Sequence, residues 1–80
     1  MIDGRISYNA VADRYGVLVS DLWRVSGLHC GDRLRVMIDA SWQPAHMEYD
    51  HRRQQWYLIL DDGSQIYGND MEYMRVQIDD

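Results

Sequence analysis

The chain contains no lysine, no phenylalanine, one proline and one cysteine in its 80 residues. Each scarcity excludes something. A lone cysteine, Cys30, cannot close an internal disulfide, whereas a secreted domain of this size usually carries several. A reducing compartment is therefore expected. Long apolar runs are also missing. Stretches such as Trp56–Leu60 are far too short to span a bilayer. Met1–Arg5 shows neither a basic segment nor a leader-like apolar block. Together these lead us to expect a cytoplasmic protein with no membrane association.

Without lysine, all eight basic residues are arginine, set against 13 Asp and Glu for a formal charge of −5. Net negative charge repels phosphate backbones at long range, which weighs against generic nucleic-acid binding. A local patch could override it, and Arg33, Arg35, Arg52 and Arg53 are the candidates. Acidity also permits the opposite relation, in which the protein imitates nucleic acid and fills a basic groove on a partner. The missing phenylalanine matters too. Nine residues are aromatic, six Tyr and three Trp, and all have a hydrogen-bonding edge of the kind enriched at interfaces.

What is present reads as one small all-β domain over residues 1–80. Ile2–Tyr8 alternates, with Ile2, Gly4, Ile6 and Tyr8 on one face. Arg14–Val19 returns from it, and Ser20–Ser26 is irregular or a short strand. Gly27–Asp32 is a turn by composition. Arg33–Asp39 is the clearest strand, with Leu34, Val36 and Ile38 inward. Trp42–Tyr49 follows, with Ala45, Met47 and Tyr49 on one face. Pro44 cannot donate to a ladder, so this strand is expected to begin at an edge or to bulge there. Gln54–Leu60 is apolar on both faces and is expected to be central or covered. Asp61–Ser64 is a hairpin turn, Gln65–Tyr67 a short strand, and Tyr73–Ile78 the last strand. A short 3-10 turn is expected near Asn69–Glu72. Five to seven short antiparallel strands in this order suggest a small SH3-like barrel, in which the first and last strands pair and cover the edges.

Candidate chemistry is sparse. His29, Cys30 and Asp32 fall within four positions, which raises a metal or thiol site. Zinc, however, needs about four ligands and this turn offers at most three. The plainer expectation is that Cys30 is a small buried hydrophobe and that Asp32 accepts from turn amides. Asp61-Asp62-Gly63 lacks the other positions of a calcium loop. A chain this short has little room for a cleft between paired carboxylates. No catalytic residue, cofactor or metal is expected. Trp23, Trp42 and Tyr57 fall on outward or ambiguous faces and would form a recognition platform if they cluster, with a peptide as one candidate ligand. Asp61, Asp62, Asp70 and Glu72, with Glu48, Asp50, Asp79 and Asp80, make the C-terminal half acidic. The alternative surface is Arg33, Arg35, Arg52 and Arg53, with Trp42 and Tyr57 as base-stacking partners.

The run Gly27-Leu28-His29-Cys30-Gly31-Asp32, then Trp42-x-Pro44, Glu48-Tyr49-Asp50 and Trp56-Tyr57-Leu58, resembles a family of small bacterial domains of unknown function. The likeness is clear over 27–58 and weaker through 71–78. It implies a compact barrel, carried as a short protein on mobile genetic elements such as conjugative transposons and phages. It implies no activity and no catalytic residues. The combined expectation is a non-enzymatic protein-interaction module of a mobile element, monomeric or homodimeric. Its partner would be a host or element-encoded protein. A sharper version is an inhibitor that occupies the basic groove of a nucleic-acid-binding host or defence protein.

Overall fold

The strands of the computed structural model, which describes residues 1–79, are β1 (Ile2–Asn9), β2 (Arg14–Val19), β3 (Leu22–Val25), β4 (Arg33–Ile38), β5 (Ser41–Asp50), β6 (Gln55–Leu60), β7 (Gln65–Tyr67) and β8 (Arg75–Ile78). A 3-10 turn, Gly68–Met71, separates β7 from β8. Asp80 lies outside the described residues. All pairings are antiparallel, in the order β3-β2-β1-β8-β4-β5-β6-β7. The first and last strands do pair, through Ile2–Arg5 against Arg75–Ile78.

The sheet has eight strands instead of five to seven, and it is one open ladder with β3 and β7 at its edges. The added strand is the ambiguous 22–25 segment. It pairs with β2 through a two-residue turn in which Ser20 and Asp21 both have positive φ. Those signs match the right-handed twist of a hairpin. Asp39 and Ala40 do the same between β4 and β5, so the tight turn is Asp39-Ala40 and Ser41 already belongs to β5.

Alternation puts the core where it was expected. Val36, Val76, Met47 and Leu58 on neighbouring strands are all at most 1% exposed. Two further buried residues come from outside the sheet: Leu28 from the 27–32 turn and Met71 from the 3-10 turn. The amide of Leu28 donates to the Tyr15 carbonyl at 2.7 Å, and Gly31 N–H and Asp32 C=O bond Met47 at 2.7 and 2.9 Å. The turn therefore bridges β2 to β5 and lowers Leu28 onto the core. Cys30 is exposed, not buried, because Leu28 already fills the space beneath.

Pro44 neither starts β5 nor makes a bulge. The strand begins at Ser41 and its register with β4 runs unbroken through Arg35↔Pro44. The ladder to β6 starts one residue later, at Ala45↔Leu60, and the Pro44 carbonyl accepts from Asp61 N–H at 3.1 Å. In an antiparallel strand a residue's N and C=O point the same way. The missing donor thus points past the end of β6, where no acceptor needs it.

Tyr8 keeps inward parity but is 41% exposed, while its neighbour Ser7 is 8% exposed. Ser7 is covered because Glu72 reaches over β1, accepting from the Ser7 hydroxyl and from Tyr8 N–H. Tyr8 is the last inward residue of its strand and stands at the rim of the core.

Candidate functional site

That rim is the site. Two hairpins end there, each with an inward aromatic pair in direct register: Tyr8 opposite Tyr15, and Tyr49 opposite Trp56. Tyr8 and Tyr15 meet edge-on with centroids 5.3 Å apart, and Tyr49 and Trp56 do so at 4.8 Å. The hairpin tips are tied together by the Trp56 indole, whose Nε1–H donates to the Asp13 carbonyl at 3.1 Å. Arg14 lies over the Trp56 ring at 5.0 Å. These four aromatics, with Asp13, Gln54, Gln55, Gly68 and Asn69, line a cleft of about 420 Å³. Tyr15 belongs to the core cluster and Trp56 packs against it, so the cleft lies at one end of the core.

Carboxylates organise the tyrosines. The Tyr8 hydroxyl donates to Asp13 Oδ1, and this bond, then partial burial, raises the phenol's pKa. Burial first, then the nearby Glu72 charge, raises that of Tyr15. Both phenols are therefore neutral donors at physiological pH. Asp13 can hold this place because Asp tolerates its φ of +54°.

Asp50 fixes the β5–β6 turn. Its Oδ1 accepts from the amides of Arg52 and Arg53 at 3.0 and 3.1 Å, and its Oδ2 from the Tyr67 hydroxyl at 3.0 Å. The Arg53 amide first, with the Tyr67 hydroxyl and the Arg52 amide, holds its carboxyl below the usual range. A depressed folded pKa stabilises above the unfolded value and is lost as pH falls through the folded one. Asp50→Asn is therefore expected to flatten the acid limb of the stability curve below about pH 4. Urea melts at a series of pH values check this, and parallel acid limbs in both proteins would contradict it.

The residues expected to form a recognition platform do not come together. Trp23 is 41% exposed on edge strand β3, whose ladder partner is β2. Trp42 and Tyr57 are on adjacent strands, but Tyr57 faces Glu48, six residues along from Trp42, or roughly 20 Å. Arg75 lies over Trp42 at 5.4 Å, and Tyr57 stacks on Tyr67 at 4.6 Å. The acidic set is also divided. Glu72 holds β1, Asp62 caps its own turn through Ser64 N–H at 2.8 Å, and Asp61 lies 3.9 Å from Arg33. Asp70 is in the 3-10 turn, beyond the other end of β7 from Asp61 and Asp62. Arg35 pairs with Asp79 at 3.1 Å and Arg53 with Asp50 at 3.9 Å, while Arg52 is exposed in the β5–β6 turn.

At the 27–32 turn, the His29 amide donates to Asp32 Oδ2 at 2.8 Å. Asp32 thus accepts from a turn amide, as expected. Among the described residues no group of three or more His, Cys, Asp or Glu could hold a metal ion. No helix among them is long and apolar enough to cross a membrane.

The rim aromatics Tyr8, Tyr15, Tyr49 and Trp56 were not singled out from sequence. Their signal was available, since a turn ending at Gln54 sets Tyr49 opposite Trp56. Inward parity made them look like core.

A family model described as a domain of unknown function, DUF5348, matches residues 4–78. The chain belongs to the DUF5348 family. The match takes in the first strand, outside the stretches that carry the resemblance, and includes all four rim aromatics. A crystal structure of a protein from Ruminococcus gnavus, a structural-genomics target, is similar to this DUF5348 domain with a TM-score of 0.72. It is 23% identical, over 96% of this chain and 100% of that one. At that identity the likeness concerns the fold. No curated protein matches the chain.

Proposed function

We propose that this DUF5348 domain is a non-enzymatic interaction module on an SH3-like barrel, and that it holds an extended segment of a partner protein at the barrel rim. The observation that carries the reading is the pair of cross-strand aromatic couples around an open cleft of about 420 Å³, in which Tyr15 is buried at the base while Tyr8, Tyr49 and Trp56 stay partly exposed. Clefts of roughly 300–1,000 Å³ with aromatic walls and a few polar groups suit small ligands and side-chain anchors. The mobile element or phage, with its host- or element-encoded partner, rests on the family resemblance, and the cytoplasmic setting on the lone Cys30. Edge strand β3, with Leu22 73% exposed, supports a homodimer as one assembly of the module.

The version in which acidic turns mimic nucleic acid has less support, because Asp61, Asp62 and Glu72 have intramolecular partners. A nucleic-acid adaptor is also less supported, since Tyr67 and Arg75 already cover the rings of Tyr57 and Trp42. The test is selection from a displayed random-peptide library, followed by amide NMR titration of the enriched peptide. Shifts at Tyr8, Tyr49, Trp56 and Asn69 are expected. No enriched peptide, or shifts confined to β4 and β8, would remove the reading.

A further inference from the structure

The rim cleft has a charge character of its own, and resting on the reading above we propose that the group it takes is a cationic side chain, a guanidinium or ammonium, on the partner. The first support is composition. Of the residues lining the cleft, four are aromatic, one is a carboxylate and none is a cation. An aromatic face attracts a cation electrostatically, most strongly when water is partly excluded. An apolar anchor would need no carboxylate at the rim.

The second support is how the molecule treats its own arginines. Arg14 lies over Trp56, Arg53 over Tyr67 and Arg75 over Trp42, at 5.0, 4.8 and 5.4 Å. Those contacts leave the Tyr8 and Tyr49 rings to the cleft, with Tyr15, 6% exposed, at its base. The charged groups around it are unequal. Asp13 and Glu72 are negative, and Glu72 acts on Tyr15 from behind β1. Arg14 is turned to Trp56 and to the Leu28 carbonyl at 3.4 Å. His51 packs edge-on to Tyr49 at 5.0 Å. Asp13 is the one charged residue lining the cleft, in a protein whose total is −5.

Long-range attraction and the local site therefore select the same sign of partner. An arriving cation would meet the Asp13 carboxylate and the faces of the tyrosines, with the amides of Gln54, Gln55 and Asn69 left for the partner's backbone.

The test uses the whole domain and three peptides differing only at one central residue, Arg, Leu or Glu, in the sequence enriched by selection. The expected order of affinity is Arg, then Leu, then Glu, with Arg at least roughly fivefold tighter than Leu. The Trp56 indole N–H reports occupancy by NMR. Asp13→Asn keeps the backbone conformation, since Asn also accepts positive φ, and should remove most of the Arg-over-Leu affinity ratio, both peptides being measured on the same variant. Asp39→Asn is the matched control, an exposed aspartate of φ +49° in another turn. It removes the same net charge and should leave the preference intact. If Leu binds as well as Arg at the same shifted residues, the cationic assignment fails and the interaction module stands. If Asp39→Asn weakens Arg binding as much as Asp13→Asn, bulk charge is responsible and the assignment also fails. If no peptide moves the Trp56 signal, the rim reading itself is lost.

Discussion

Truncating Met71 to alanine is expected to cost about 2–5 kcal/mol and to lower the thermal midpoint by roughly 10 °C or more. Met71 is fully buried, yet it comes from the 3-10 turn and not from the sheet. It reaches the core from a turn packed on β6 and β7, and β6 is hydrogen-bonded on both sides. That strand cannot move inward to fill a void without breaking a ladder, so little of the cavity can collapse. A core this small supplies only about 3–5 kcal/mol in total. The variant should therefore sit near its unfolding transition at room temperature. Met71→Leu keeps the volume and should cost less than about 1.5 kcal/mol. Thermal melts followed by circular dichroism separate the two. A shift under about 3 °C for the alanine variant would mean that the core closes over the gap. The same variant should weaken ligand binding, because Gly68 and Asn69 at the cleft belong to the turn that Met71 anchors.

Much of the sheet was legible because period-two alternation is a local signal. Arg33–Ile38 shows it plainly, while Gln55–Leu60 was legible as an apolar run between two polar turns, and both strands lie within a residue of their expected bounds. The pairing of first and last strands followed from the order of elements. What failed is non-local. Leu28 and Cys30 are two residues apart in one turn, and only the path of the chain decides which is lowered onto the core. Nothing around Glu72 announces that it will reach across to Ser7, 65 positions away. The platform expected from Trp23, Trp42 and Tyr57 failed for a related reason. Outward parity places a side chain on a face but does not say where along it. The rim aromatics were hidden by the converse. Inward parity says core, yet at the last pair of a hairpin the core has run out of cover. An aromatic at the terminal inward register of a hairpin can thus stay partly exposed, as Tyr8, Tyr49 and Trp56 do.

Two glycines should respond differently to the same change, one globally and one locally, and the contrast tests the strand order. A Cβ at Gly4 would lie 2.4 Å from the Leu18 carbonyl oxygen and 2.8 Å from Val17 Cγ1. At Gly16 it would lie 2.2 Å from the Val25 carbonyl oxygen and 3.0 Å from Trp23 Cζ3. Both collide with backbone, so no side-chain rotation relieves them. The means of relief differ. Gly4 is in β1, held by β2 on one side and β8 on the other. Moving it breaks a ladder that closes the core, and Gly4→Ala is expected to destabilise the whole domain by about 3 kcal/mol or more. Gly16 meets β3, an edge strand of four residues whose pairing with β2 already shifts register between Val17 and Leu18. That strand can peel away while the rest stays closed. Gly16→Ala should keep most of the thermal midpoint but lose hydrogen-exchange protection selectively over Leu22–Val25. The rim cleft, built from other strands and turns, should still bind. Global unfolding of both variants would show that β3 is integral to the core. Tolerance of Gly4→Ala, with a midpoint within about 2 °C of the parent, would show that β1 and β2 are not in the close contact on which the curl of the sheet depends.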